Sequence, residues 1–123
     1  LYDKISDVEH MVADRHPLIG ACVDTGHFLR SDEDPVAAIR RLGPRVFGVH
    51  LKDVLSTTVG GKTRKQFKIV GEGDLDVVGC LRELRKLKYK YCVALEYEEN
   101  PKNPLSDLEL CLKSVRAAVK SLA

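Results

Sequence analysis

Three short apolar runs, at positions 18–24, 46–51 and 91–96, constrain the fold of this chain more than any other feature. Each is rich in Val, Leu or Cys, each is long enough for a buried strand, and each is too short for a helix. The segments around them carry helical spacing instead. Ser6-Asp7-Val8-Glu9 fits a capping box, and Ile5, Val8 and Val12 recur on one helical face, so a helix is expected from about residue 3 to residue 14. It should stop before His16-Pro17, because the residue preceding a proline is pushed out of the α region. Asp34-Pro35 reads as an N-cap followed by a proline at the first helical position, and Val36, Ile39 and Leu42 give a short helix ended at Gly43-Pro44. Asp76 caps a third helix carrying Val77, Val78, Leu81, Leu84 and Leu87 on one face. After an acidic loop, Tyr97 to Asn103, Pro104 and a second capping box, Ser106-Asp107-Leu108-Glu109, open a final helix with Leu108, Leu112, Val115, Val119 and Leu122 expected inward. From Val54 to Gly73 no period holds, and a polar loop is expected with a small ribbon at Gln66 to Val70.

Strands alternating with amphipathic helices imply right-handed crossovers and a parallel sheet, an α/β fold. Near-continuous apolar strands need cover on both faces, and the chain offers a single layer of helices. Residues 1–123 therefore read as an arc of a larger structure, the C-terminal three to four βα units of a (β/α)8 TIM barrel, which takes about 250 residues in all. The chain opens on Leu1 rather than Met and runs directly into a helix, which fits a sequence entered midway.

Composition narrows the function. Basic residues exceed acidic ones by only two and are scattered, so there is no electrostatic footprint for nucleic acid or an anionic membrane. No apolar run approaches the roughly 20 residues that span a bilayer, and the N-terminus has no signal-peptide pattern, so a cytoplasmic address is the default. Cys22, Cys80, Cys92 and Cys111 lie in apolar segments with no CxxC pair and are expected as reduced, buried small hydrophobes.

The chemistry sits at the strand ends. Asp24, His50 and Glu96 each fall at or near the C-terminal end of an apolar run, the edge where parallel α/β folds hold ligands. Taken singly, Asp24 would be a turn or cap residue, His50 a hydrogen-bonded core histidine and Glu96 an exposed carboxylate. Three consecutive strands each ending in a ligand type favour a mixed O/N site for Mn²⁺, Mg²⁺, Co²⁺ or Zn²⁺ with open positions for substrate.

Cys-Val-Asp-Thr-Gly-His at 22–27, Val-His-Leu-Lys-Asp at 49–53, Gly-Glu-Gly-Asp-Leu-Asp at 71–76 and Ala-Leu-Glu-Tyr at 94–97 together resemble the xylose isomerase-like barrel superfamily. Within it, the likeness is to the sugar phosphate isomerase/epimerase branch. The resemblance implies that Asp24, His50 and Glu96 are three of four metal ligands, that His27 contacts a substrate oxygen and that Glu96 is one of two opposed acid/base groups. The other, the family's first glutamate, lies on an earlier strand than any present. The implied reaction on a sugar or sugar phosphate is deprotonation beside a carbonyl, with the metal stabilising an enediolate. Lys52 would add positive charge beside that oxyanion, or form a structural ion pair with Asp53 or a neighbouring loop. Glu72 reads as a residue that shapes its loop.

Three further readings compete. An inosose dehydratase-like lyase would share the enediol step. A truncated, non-catalytic fragment would self-associate through its open edges or pair with the missing N-terminal half of the barrel. An endonuclease IV-like DNA repair enzyme shares two of the motifs, but its Asp-x-His zinc ligands correspond to Lys65-Gln66-Phe67 here, and the near-neutral charge does not suit a phosphate-tracking surface.

Overall fold

A computed structural model describes residues 3–123. Helix α1 (Ile5–Ala13) begins after Lys4 with no side-chain cap. The Ser6–Glu9 capping box does not form, because Glu9 accepts instead from Arg41 Nε at 2.9 Å. Strand β1 (Ala21–Asp24) starts later than its apolar run, and Leu18 is 81% exposed. The cause is local. Ile19 N–H closes a turn on the His16 carbonyl at 2.8 Å, and the Arg45 guanidinium binds the carbonyls of His16 and Ile19 at 2.9 Å each, so these groups are not free to join a ladder.

A short helix that the periodicity did not reveal, α2 (Thr25–Arg30), follows β1 directly. Helix α3 (Pro35–Leu42) is capped as expected: Asp34 accepts from Val36 N–H at 2.9 Å, and Pro35 takes the first position. A 3₁₀ turn, Gly43–Arg45, leads into β2 (Val46–Leu51). The segment expected as a polar loop is an antiparallel hairpin of β3 (Asp53–Val59) and β4 (Lys62–Lys68). Its two-residue turn is Gly60-Gly61, with φ of +57° and +75°, the pair of positive angles that a tight hairpin of matching twist demands. Helix α4 (Val77–Lys86) is capped by Asp76, which accepts from Gly79 N–H at 2.7 Å. Strand β5 is only Val93–Leu95, and α5 (Leu105–Ser121) starts after Pro104. The second capping box is also absent, with Asp107 accepting from the Tyr97 hydroxyl at 2.8 Å.

The sheet has the order β1-β2-β5, all parallel, and aligns Asp24 with His50 and His50 with Ala94. A register shift between Ala21 and Cys22 lets Val46 and Val49, three residues apart, both be buried. Ala21, Val23, Val46, Val49 and Leu51 belong to one buried cluster with Ile39, Leu42, Cys80 and Leu84 from α3 and α4. Alternation sends Cys22, Asp24 and His50 to the other face. Two of the four cysteines therefore depart from expectation: Cys22 and Cys92 are exposed, while Cys80 and Cys111 are buried, and all four are free thiols.

Helix α5 also turns differently from its leucine pattern. Cys111 and Ala118 are buried, whereas Leu112 and Val119 are exposed. Small residues win this face because the turn after β4 packs close: Val70 N–H donates to Cys111 Sγ at 3.3 Å, and a Cβ at Gly71 would run into Ser114 Oγ. Among the described residues, no helix is long and apolar enough to cross a membrane.

Candidate functional site

The three strand ends deliver Asp24, His50 and Glu96 to one place. One ligand atom from each lies within 4.8 Å of the other two, and all three residues are partly exposed. His50 Nδ1 is 2.7 Å from Glu96 Oε2 and 3.7 Å from Asp24 Oδ2. Asp24 also caps α2, its Oδ1 accepting from His27 N–H at 3.0 Å, which fixes the carboxylate while leaving Oδ2 toward the cluster. The His27 ring stands at the exposed rim, Nε2 3.8 Å from Asp24 Oδ2. Lys52 reaches the same group from the buried side, with Nζ 2.9 Å from Glu96 Oε1 and 2.5 Å from Glu98 Oε1.

The two carboxylates are tuned in opposite directions. Burial pushes the Asp24 carboxyl above its ordinary value, opposed by the His27 N–H and reinforced by the nearby Glu96. The Lys52 ammonium, aided by Asp24 and His50, pulls Glu96 down to about 2 against the desolvation that would raise it. Burial alone would lower the Lys52 ammonium, but Glu98 and Glu96 together hold it above its ordinary value. Glu96 is thus an anion throughout the neutral range. One imidazole and two carboxylates, open to solvent on one side, form a donor set that fits a divalent cation with positions left for substrate.

Several residues that organise the site have no ligand chemistry of their own. The Thr25 hydroxyl lies 2.8 Å from the Lys52 carbonyl and 3.1 Å from the His50 carbonyl, and accepts the Lys52 N–H at 2.8 Å, locking the start of α2 to the end of β2. Asp53, 1% exposed, does not pair with Lys52. Its carboxylate accepts four backbone N–H groups, from Val54, Gly71, Gly73 and Leu75, at 2.8–3.0 Å. It therefore ties the Gly-Glu-Gly turn to the base of the hairpin, while Glu72 itself is exposed. A carboxylate directly after a buried strand, followed at a distance by a glycine-rich turn, was the available signal for that anchor. Lys65 binds the Leu29 carbonyl and Asp32, and the Phe67 ring lies against Lys52 and Arg30, so neither joins the Asp24 cluster as a ligand.

Residues 2–115 match the family model described as Xylose isomerase-like TIM barrel. This chain belongs to that family. Among curated relatives, the inosose dehydratase of Lactiplantibacillus plantarum is 29% identical over 89% of this chain and 41% of its own length. That of Clostridium tetani is 31% identical over 72% of this chain and 34% of its own. Among solved structures, the xylose isomerase domain protein from Planctomyces limnophilus superposes with a TM-score of 0.78 at 24% identity, covering 95% of this chain and 44% of that one. A D-tagatose 3-epimerase-like protein gives 0.71 at 19% identity, covering 100% of this chain and 45% of that one. The chain thus spans less than half the length of these proteins, and the parallel α/β architecture is that of a partial TIM barrel. The family comprises sugar isomerases, epimerases and dehydratases.

Proposed function

We propose that residues 1–123 are the C-terminal part of a barrel that moves a proton beside the carbonyl of a small sugar or sugar phosphate, as an isomerase or epimerase. The observation that carries this reading is the convergence of Asp24, His50 and Glu96 within 4.8 Å at the C-terminal edge of a parallel sheet. These three residues would hold a divalent cation, Mn²⁺, Mg²⁺, Co²⁺ or Zn²⁺, which supplies Lewis-acid polarisation of a substrate oxygen when bound. Glu96 is the group we assign as proton acceptor, because the family resemblance makes it an acid/base group and its carboxylate meets Asp24 and His50 on the open side of the sheet. Delivering the proton to the former carbonyl carbon, while the hydroxyl proton passes from one enediol oxygen to the other, is isomerisation. Reprotonation of the same carbon from the opposite face is epimerisation and needs a second acid/base group, which the family resemblance assigns to an earlier strand. His27 is exposed at the rim and would donate to or accept from a substrate hydroxyl. Lys52 contributes positive charge next to Glu96.

The curated relatives favour a second outcome at the same site, dehydration. There Glu96 would take the proton beside the carbonyl, and the hydroxyl on the next carbon would leave as water with a proton from a general acid. Both outcomes begin with the same proton removal, so hydrogen exchange tests them together. In ²H₂O with Mn²⁺, the complete protein carrying this chain should wash deuterium into the carbon beside the carbonyl of its sugar. Glu96→Gln should slow that exchange by about 10²–10⁴-fold. Full exchange in the Glu96→Gln variant would remove Glu96 from the role. Strands β1 and β5 each have one neighbour in the sheet, so the chain alone should self-associate through these edges, without turnover, and sedimentation at micromolar concentration reads this directly.

A further inference from the structure

Lys52 is 1% exposed, at the end of β2 and two residues from His50. A buried ammonium is costly unless it is paired, and several segments of this fold converge to hold it. Gly26 leaves a slot for the stem: a Cβ there would lie 2.7 Å from Lys52 Cγ and 2.8 Å from Cδ. The Phe67 ring covers the ammonium, its centroid 4.8 Å from Nζ. Glu96 and Glu98 accept from Nζ at 2.9 and 2.5 Å. The Thr25 hydroxyl fixes the Lys52 backbone through both its N–H and its carbonyl, at 2.8 Å each. The motif after β1, the end of β2, strand β4 and the loop after β5 therefore all meet at one side chain, whose reach ends on the carboxylate of the candidate cation site.

We propose that Lys52 is a positioning residue for Glu96. It holds Oε1 from a fixed, buried direction, so that Oε2 stays turned to His50 and the cluster, while Glu98 supplies the counter-charge that keeps the ammonium in place. This rests on the reading of Asp24, His50 and Glu96 as a cation site. Partners that orient a ligand in this way are worth about 10–100-fold in metal affinity. A fixed ammonium near a divalent ion also repels it, which works in the opposite direction. The sign of the effect on removal therefore separates the two roles: orientation predicts weaker binding, and simple repulsion predicts tighter binding.

The test is calorimetric titration of the complete protein carrying this chain with Co²⁺, alongside the visible absorption of the bound ion and circular dichroism to monitor folding. Lys52→Met should weaken binding by about 10–100-fold. Gly26→Ala keeps every charge but drives a methyl into the Lys52 stem, so it should weaken binding in the same direction and change the Co²⁺ spectrum. Glu98→Gln should weaken it less. Folded Lys52→Met or Gly26→Ala protein that binds Co²⁺ as tightly as wild type, or more tightly, would overturn the positioning role. If Lys52→Met does not fold, Gly26→Ala decides alone. A complete wild-type protein with no saturable binding would overturn the cation reading beneath it, a result distinct from binding that the variants share.

Discussion

The two faces of the β1-β2-β5 sheet are built from alternate residues of the same strands, yet they obey different rules. Toward α3 and α4, the sheet buries Val23, Val49 and Leu51 at 0–1% exposure, and the neighbours are apolar. Toward the open side it presents Cys22, Asp24, His50 and Glu96, where charge and hydrogen bonding decide what each group does. One face holds the fold, and the other carries the chemistry that the fold aims. A substitution on the first should register in stability, and one on the second in ligand binding.

Leu51→Ala should cost about 2–5 kcal/mol in denaturant unfolding, because it removes a fully buried side chain from the core cluster. Cys22→Ser, on the same sheet but facing outward, should stay within about 0.5 kcal/mol of wild type. Equal losses at the two positions would show that the open face is as much a core as the covered one.

A comparable loss should follow at Asp53, which lies between the two regimes. Asp53→Ala leaves four backbone donors without their acceptor, and each such donor costs about 1–3 kcal/mol where water cannot replace the partner. Water can reach Gly71 and Gly73 in the exposed turn, so the buried donors of Val54 and Leu75 should dominate the loss, about 2–6 kcal/mol for the pair. Hydrogen exchange should rise first at Gly71, Gly73 and Leu75. Protection unchanged at these amides would mean that the turn is held by something other than Asp53.

In the helical layer the expected effect is smaller. Lys86 and Arg40 hold the Glu83 carboxyl below its ordinary value. A carboxylate whose folded value is depressed stabilises the fold fully above its unfolded value of about 4.3, and that contribution is lost as pH falls toward the folded value. Glu83→Gln should therefore flatten the acid limb of a stability–pH curve below about pH 4.3 and leave the neutral region parallel to wild type. An unaltered acid limb would show that the seam between α3 and α4 is apolar in effect.

What could be read from the sequence follows the same division. Strand β2 was legible to its ends because Val46 to Leu51 is an unbroken strand-like run, and α3 because Asp34-Pro35 states its start chemically. The hairpin was not, since β3 and β4 are mostly solvated and carry no burial period. Thr57, Thr58 and Val59 before Gly60-Gly61 were the local signal that outweighed the polar composition. The face of α5 was read only in part: Val115 packs against the core and Leu108 and Leu122 are half-buried, but close approach of the turn at Gly71 selects Cys111 and Ala118 over Leu112 and Val119. At the site, the positions of Asp24, His50 and Glu96 at strand ends were legible from the pattern. The parts played by Thr25, Gly26 and Asp53 depend on contacts between segments far apart in sequence, which no local pattern encodes.

The proposed cation site places a divalent ion on the open face between Asp24, His50 and Glu96. Electron paramagnetic resonance of Mn²⁺, titrated into the complete protein carrying this chain, measures this without any substrate. One saturable site per protein is expected, abolished by His50→Ala and by Asp24→Asn, and retained in Cys22→Ser on the same face. Absence of saturable binding in the wild-type protein, or binding that survives loss of either ligand undiminished, would contradict it.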